Sequence, residues 1–137
     1  MCGEKCENIA KYISEIQRKG NAFFLKELSY LGLGYGQFNF LIELYKEDGV
    51  RQEDLSSNLN IDKGTTARAI KKLEIQGFIT RVNDDKDKRA YRIFLTEKAL
   101  RHKNDIFKVA INWEKNITKN LTHDEKEIML QLLKKCT

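Results

Sequence analysis

Between Asp62 and Thr96 the chain changes its hydrophobic period once, and that change limits the folds open to it. The run KGTTARAIKKLEI sets Ala69, Ile70 and Leu73 on one side of a helix. Arg68 and Lys71, flanked by Lys72, fall on the other side. After Gly77 the helical spacing stops. Phe78–Val82 and Tyr91–Leu95 are rich in aromatic and β-branched residues, as strands are. NDDKDKRA between them is polar and turn-prone. The spacing therefore predicts an amphipathic helix followed by a two-stranded ribbon with a mobile charged tip.

A second helix is expected just upstream, over Gln52 to Asn58, with Leu55 and Leu59 turned inward. Its cap position holds Arg51, where Ser, Thr or Asp is the usual choice. The turn Asn58–Ile61 leads to Asp62, a good N-cap for the basic helix. Short helix, turn, second helix and ribbon make a winged helix-turn-helix.

The flanks read as helices. From Glu4 to Leu31, apolar residues recur at Ile9, Tyr12, Ile13, Ile16, Phe23, Phe24, Leu28 and Leu31, with Gly20 on the same stripe. Gly20 allows either the close approach of another helix or a bend. GLGYG (Gly32–Gly36) ends this helix; with no strand before it and no Lys-Ser/Thr after it, it reads as a turn rather than a phosphate loop. The next helix turns Phe38, Leu41, Leu44 and Tyr45 inward and stops near Asp48-Gly49. Beyond the ribbon, Thr96 caps a helix carrying Ala99, Leu100, Ile106, Phe107, Ala110, Ile111, Ile117 and Leu121. Thr122-His123-Asp124-Glu125 is a capping box that starts a last helix with Ile128, Met129, Leu132 and Leu133 on its apolar face. The chain has no proline, which suits long uninterrupted helices. The expected fold is mainly α with a small β-wing. The expected division is an N-terminal helix over 1–33, a winged unit over 34–96 and C-terminal helices over 97–137. The apolar faces of the flanking helices exceed what so small a winged unit covers, which predicts a second copy of the chain against them.

Charge is distributed to match. Residues 1–50 hold 6 basic and 7 acidic side chains, residues 51–103 hold 13 and 8, and residues 104–137 hold 6 and 5. The positive excess thus sits in the winged unit, an electrostatic footprint for a polyanion. Within it, Gly64, Thr65 and Thr66 open the basic helix. Gly64 and Thr65 are small enough to let it approach base edges, whereas Thr66 falls toward the apolar side of the wheel. Arg68 has the fork that matches the two acceptors of guanine. Lys71 and Lys72 suit phosphates, which set position rather than sequence. Arg81 on the first strand and Lys86, Asp87, Lys88 and Arg89 at the tip complete the candidate DNA contacts. Arg89 suits a narrow minor groove, and Asp87 can pair with it to hold it extended.

These residues carry a resemblance. DLSSNLNIDKGTTARAIKKLEIQGFITR, the wing triplet Asp87-Lys88-Arg89 and LTEKA at Leu95–Ala99 together resemble the MarR family of bacterial transcriptional regulators. The likeness spans essentially the whole chain. It implies a homodimer with interlocked first and last helices and two winged units on a palindrome. It implies Arg89 in the minor groove with Asp87 as its partner. Asp84-Asp85 stands where a proline is common in the family, so a looser wing tip is expected.

The resemblance also implies a signal. One candidate is a small aromatic or lipophilic effector, lined by Phe23, Phe24, Tyr30, Tyr35, Phe38 and Trp113; aromatics at helical spacing are otherwise plain core. The other is thiol oxidation at Cys2, Cys6 or Cys136, of which Cys2 and Cys6 are one helical turn apart. His102 and His123 are isolated and Cys-x3-Cys has no partners at zinc spacing, so no metal or other cofactor is expected. No nucleophile elbow, P-loop, dinucleotide fingerprint or paired-histidine motif is present, which argues against an enzyme. No apolar run is long enough to span a bilayer and the polar start does not suit a secretory signal, so a cytoplasmic protein without membrane attachment is expected. The expectation is a regulator, acting as a repressor on double-stranded DNA and released by a ligand. Its alternatives are a redox-sensing regulator and a winged helix used only to bind other proteins.

Overall fold

The computed structural model describes residues 7–137. Cys2 and Cys6 lie outside the described residues. Helix α1 (Ile9–Leu28) starts at Asn8, whose Oδ1 accepts the Lys11 N–H at 2.8 Å. A 3-10 turn (Ser29–Leu31) extends it and stops at Gly32. Helix α2 (Tyr35–Lys46) follows, with the Gln37 side chain accepting the Gly34 N–H at 3.0 Å. Strand β1 (Val50–Arg51) leads into α3 (Gln52–Leu59), and α4 (Lys63–Ile75) completes the helix-turn-helix. Strands β2 (Ile79–Asn83) and β3 (Tyr91–Leu95) form the wing. Helices α5 (Glu97–Arg101), α6 (Lys103–Ile117) and α7 (His123–Lys135) close the chain.

The sheet has three antiparallel strands in the order β1-β3-β2, not the two expected from the sequence. Val50 faces Ile93 and Arg51 faces Arg92, while Ile79 to Asn83 run opposite Leu95 to Tyr91. Two residues are too short to show a period of two, so β1 was invisible to pattern reading. Gly49 makes this pairing possible. It has φ +75 and gives its N–H to Ile93 O at 2.9 Å, and an added Cβ meets Phe94 Cε1 at 2.9 Å. A side chain there is both strained and obstructed.

The core lies between α1, α2, α4 and the wing root. Phe24, Leu28, Phe40, Leu41, Leu44, Leu55, Ile70, Leu73, Phe78, Ile79 and Ile93 are all buried there. Each such large side chain contributes roughly 1.5–3 kcal/mol by leaving water, and this fixes α4 and the wing to one body. Gly20 is a point of close approach, because an added Cβ meets Trp113 of α6 at 3.0 Å. The single helix expected after Thr96 is broken at His102 into α5 and α6. Thr96 still caps the first of them: its Oγ1 accepts the Ala99 N–H at 3.3 Å and donates to Gly77 O at 2.6 Å. The capping box at α7 is present in both directions, Thr122 N–H to Glu125 Oε1 at 2.9 Å and Glu125 N–H to Thr122 Oγ1 at 3.2 Å. Helix α7 has no buried residue, and Ile128, Leu130, Leu132 and Leu133 face outward along it. Ile9, Tyr12 and Ile13 of α1 and Ile111 of α6 are also exposed. No described helix is long and apolar enough to cross a membrane.

Candidate nucleic-acid interface

The start of α4 is organised by Asp62. Its Oδ1 accepts the Thr65 N–H at 2.7 Å and its Oδ2 accepts the Thr65 hydroxyl at 2.8 Å. These two bonds hold the carboxyl below the usual carboxylate range. Thr65 Oγ1 in turn accepts Arg68 Nη2 at 3.1 Å. A cap thus becomes a relay that lays the guanidinium along the first turn of the helix. Gly64 keeps that turn low, with Arg68 Nη1 3.5 Å from where a Cβ would be. Lys71 and Lys72 are exposed on the same helix. Thr66 is not at the surface: it is 1% exposed and its hydroxyl donates to Asp62 O at 2.9 Å. It faces the core, as its wheel position suggests, so its side chain does not reach a base edge, which corrects the expectation from the sequence.

The wing is pinned at its root. Asp84 is buried, its side chain 1% exposed, and it accepts the Lys86 N–H at 2.8 Å. Its Oδ2 lies 2.7 Å from Arg51 Nε and 3.2 Å from Arg92 Nε. The Lys86 N–H, then the two arginines, hold the Asp84 carboxyl below its ordinary range. Arg51 also reaches Glu53 with Nη1 at 3.3 Å, and Glu53 and Asp84 push its guanidinium pKa further up from the ordinary arginine value. Asp84 thus ties β1, β3 and the start of the tip together, in the stretch where the resemblance implies a looser wing tip. Beyond it, Asp87 accepts the Arg89 N–H at 3.0 Å and lies 3.8 Å from Arg89 Nε. This local turn leaves the Arg89 side chain 97% exposed. Lys86 and Lys88 are exposed beside it.

Arg81 has partners within the chain. Its Nε lies 3.3 Å from Glu74 Oε2 and its guanidinium is 4.8 Å from the Tyr91 ring centroid. It is engaged in joining α4 to the wing, so reaching a phosphate means breaking an ion pair and a stacking contact.

Helix α4 and the wing meet over a cavity of about 190 Å³. Its walls are Arg51, Gln52, Glu53 and Ser56 from β1 and α3, Lys63 and Thr66 from α4, and Arg89, Ala90 and Tyr91 from the wing. The first turn of α4 and the wing tip therefore border one concave surface.

Of the six aromatic effector candidates, Trp113, Phe23, Phe24, Tyr35 and Phe38 make one run of ring contacts, with Phe23 edge-on to Phe24 at 6.1 Å, while Tyr30 stands apart. Phe24 and Phe38 are buried core, with ring centroids 4.6 Å apart. Tyr35 stands edge-on to Phe24 at 4.9 Å. Tyr30 is 65% exposed and points toward His102. Phe23 and Trp113, with centroids 5.4 Å apart, border an open groove between α1 and α6, alongside Lys19, Lys26 and Lys119. Cys136 is exposed and forms no disulfide among the described residues. Among the described residues no three His, Cys, Asp or Glu side chains are placed to hold a metal ion.

Asp84, Arg92 and Lys63 escaped the sequence reading as site residues. Asp84 lay in a run of charged residues, and nothing in spacing told a buried acid from a solvated one. Lys63 follows the cap Asp62 directly, a position that pointed to it as much as to Gly64.

Known proteins share the sequence and fold of this chain. The model of the MarR family matches residues 33–91. The HTH-type transcriptional regulator BilQ of Clostridium symbiosum is 31% identical over 130 residues, covering 94% of this chain and 90% of that protein. The uncharacterized HTH-type transcriptional regulator YybA of Bacillus subtilis is 38% identical over 91 residues, 66% of this chain and 61% of that protein. A solved MarR transcriptional regulator from Methanosarcina mazei Go1 superposes with a TM-score of 0.82 at 45% identity, over 90% of each chain.

Proposed function

For a chain that belongs to the MarR family of transcriptional regulators and carries their DNA-binding winged helix, we propose a homodimeric repressor that grips a palindromic operator through α4 and the wing of each protomer. The observation that carries this reading is the shared concave surface of the α4 start and the wing tip. A helix and a hairpin on one surface suit adjacent grooves of a duplex. In this reading Gly64, Thr65 and Arg68 meet base edges, Lys71 and Lys72 meet phosphates, and Arg89, with Lys86 and Lys88, enters the minor groove. Residues 34–96 are the DNA-reading unit, and the exposed apolar faces of α1, α6 and α7 join the two protomers.

Release follows from geometry. Two α4 helices must be one helical turn apart on the duplex, about 34 Å, to reach both half-sites. A small aromatic or lipophilic molecule in the groove by Phe23 and Trp113 lies between α1 and α6. Wedging those helices changes the spacing of the winged units and abolishes binding. A mobility-shift titration against DNA upstream of the chain's own gene, at two salt concentrations, tests the reading. A retarded complex that weakens steeply with salt is expected, because phosphate contacts release counterions. Absence of any salt-dependent complex with specific or bulk DNA contradicts it and leaves a protein-interaction module.

A further inference from the structure

The cavity between the wing and the helix-turn-helix carries chemistry that base reading does not use. It collects Arg51, Lys63 and Arg89 from three separate elements against one carboxylate, Glu53, which Arg51 already engages at 3.3 Å. Lys63 takes part in none of the ion pairs found among the described residues. The Ser56 and Thr66 hydroxyls in the wall are spent on Ile61 O and Asp62 O. The start of α3 lines the same space, and its cap residue, Arg51, offers no side-chain acceptor to the first-turn N–H groups. Gln52, also in the wall, has a buried Oε1 with no hydrogen-bond partner. A half-turn of that amide exchanges the acceptor for an NH2 donor.

A duplex read in two adjacent grooves must carry a line of phosphates across the space between the reading elements. We infer that this cavity seats one phosphodiester of the operator backbone, where the strand passes from α4 to the wing. Lys63 and the outer edge of Arg51 are its cationic contacts, and the first turn of α3 closes the seat. The inference rests on the DNA-binding reading above. It gives a function to an arginine at the start of α3, which Asp84 holds in place.

The test uses the full-length protein and a palindromic duplex that it selects from a random pool. Single phosphates are replaced, one at a time, by neutral methylphosphonates. For the wild type, one replacement in each half-site is expected to weaken binding about tenfold. It lies between the guanine protected by Arg68 and the minor-groove step protected by Arg89. Lys63→Gln should weaken binding to the unmodified duplex by a similar factor, lower the salt slope by about one and lose further sensitivity at that phosphate. Lys63→Arg should restore it, and melting curves of both variants should match the wild type. The proposal is overturned if the wild type binds its duplex but no phosphate in that interval matters. It is equally overturned if Lys63→Gln stays as sensitive there as the wild type. Displacement of the duplex by millimolar inorganic phosphate, beyond that by chloride at equal ionic strength, assigns the cavity to a free oxyanion and also overturns it. A wild type that selects no duplex removes the DNA-binding reading and the seat together.

Discussion

Arg89 and Arg68 reach the surface by opposite routes. Arg89 is extended into solvent by a turn that Asp87 closes. Arg68 is drawn back along α4 by Thr65, which Asp62 holds. Each guanidinium is placed in advance, so its truncation removes a contact without disturbing the core. Arg89→Ala and Arg68→Ala should each weaken operator binding by about 1–3 kcal/mol, roughly ten- to hundredfold, with unchanged melting temperature. Asp84 acts through others. Asp84→Asn should leave both arginines present but free the wing root, weakening binding and making it insensitive to Arg89→Ala in the double variant. The pH behaviour follows from its depressed folded pKa. Such a group stabilises the folded state above its unfolded pKa of about 3.9, and that contribution disappears as pH falls through the lower folded value. The stability difference between wild type and Asp84→Asn should therefore be constant from pH 5 to 8 and shrink below pH 4 in urea titrations.

At the scale of elements, the caps are the most direct link from sequence to structure. Thr122→Ala removes the acceptor of the Glu125 N–H in α7 and should reduce stability by about 1 kcal/mol, read as a lower denaturant midpoint. Asp62, Thr96 and Thr122 were legible as caps because capping depends on one side chain and its neighbours three residues on. The α4 and β2–β3 order was legible because a helical period gives way to strand composition at Gly77. Strand β1 was not, since its two residues gain their hydrogen bonds from Ile93 and Arg92, more than forty positions away. The break at His102 was hidden for a different reason: the apolar spacing continues through it. Burial of Asp84 depends on Arg51 and Arg92 converging in space, which no local pattern encodes. The aromatic residues were visible as a set, yet only packing separated core Phe24 and Phe38 from groove-lining Phe23 and Trp113. Ile75 is 76% exposed on α4, a placement that nothing else in the structure explains.

The whole molecule presents two surfaces of unlike character. One carries the α4 start, the wing tip and the cationic cavity. The other carries apolar side chains of α1, α6 and α7 that are exposed among the described residues. If a second copy covers the latter, Leu132→Glu combined with Ile128→Glu should convert a dimer to a monomer in sedimentation velocity. Operator affinity should fall with it, because the two half-sites are then bound independently. The central claim is that one protomer holds a duplex from two grooves at once, and chemical footprinting reads it directly. On the selected duplex, the wild type should shield guanine N7 in the major groove and, a few base pairs away, sugar positions facing the minor groove. Arg68→Ala should lose only the first protection and Arg89→Ala only the second. Full protection of both grooves by both variants, at unchanged affinity, would contradict the account.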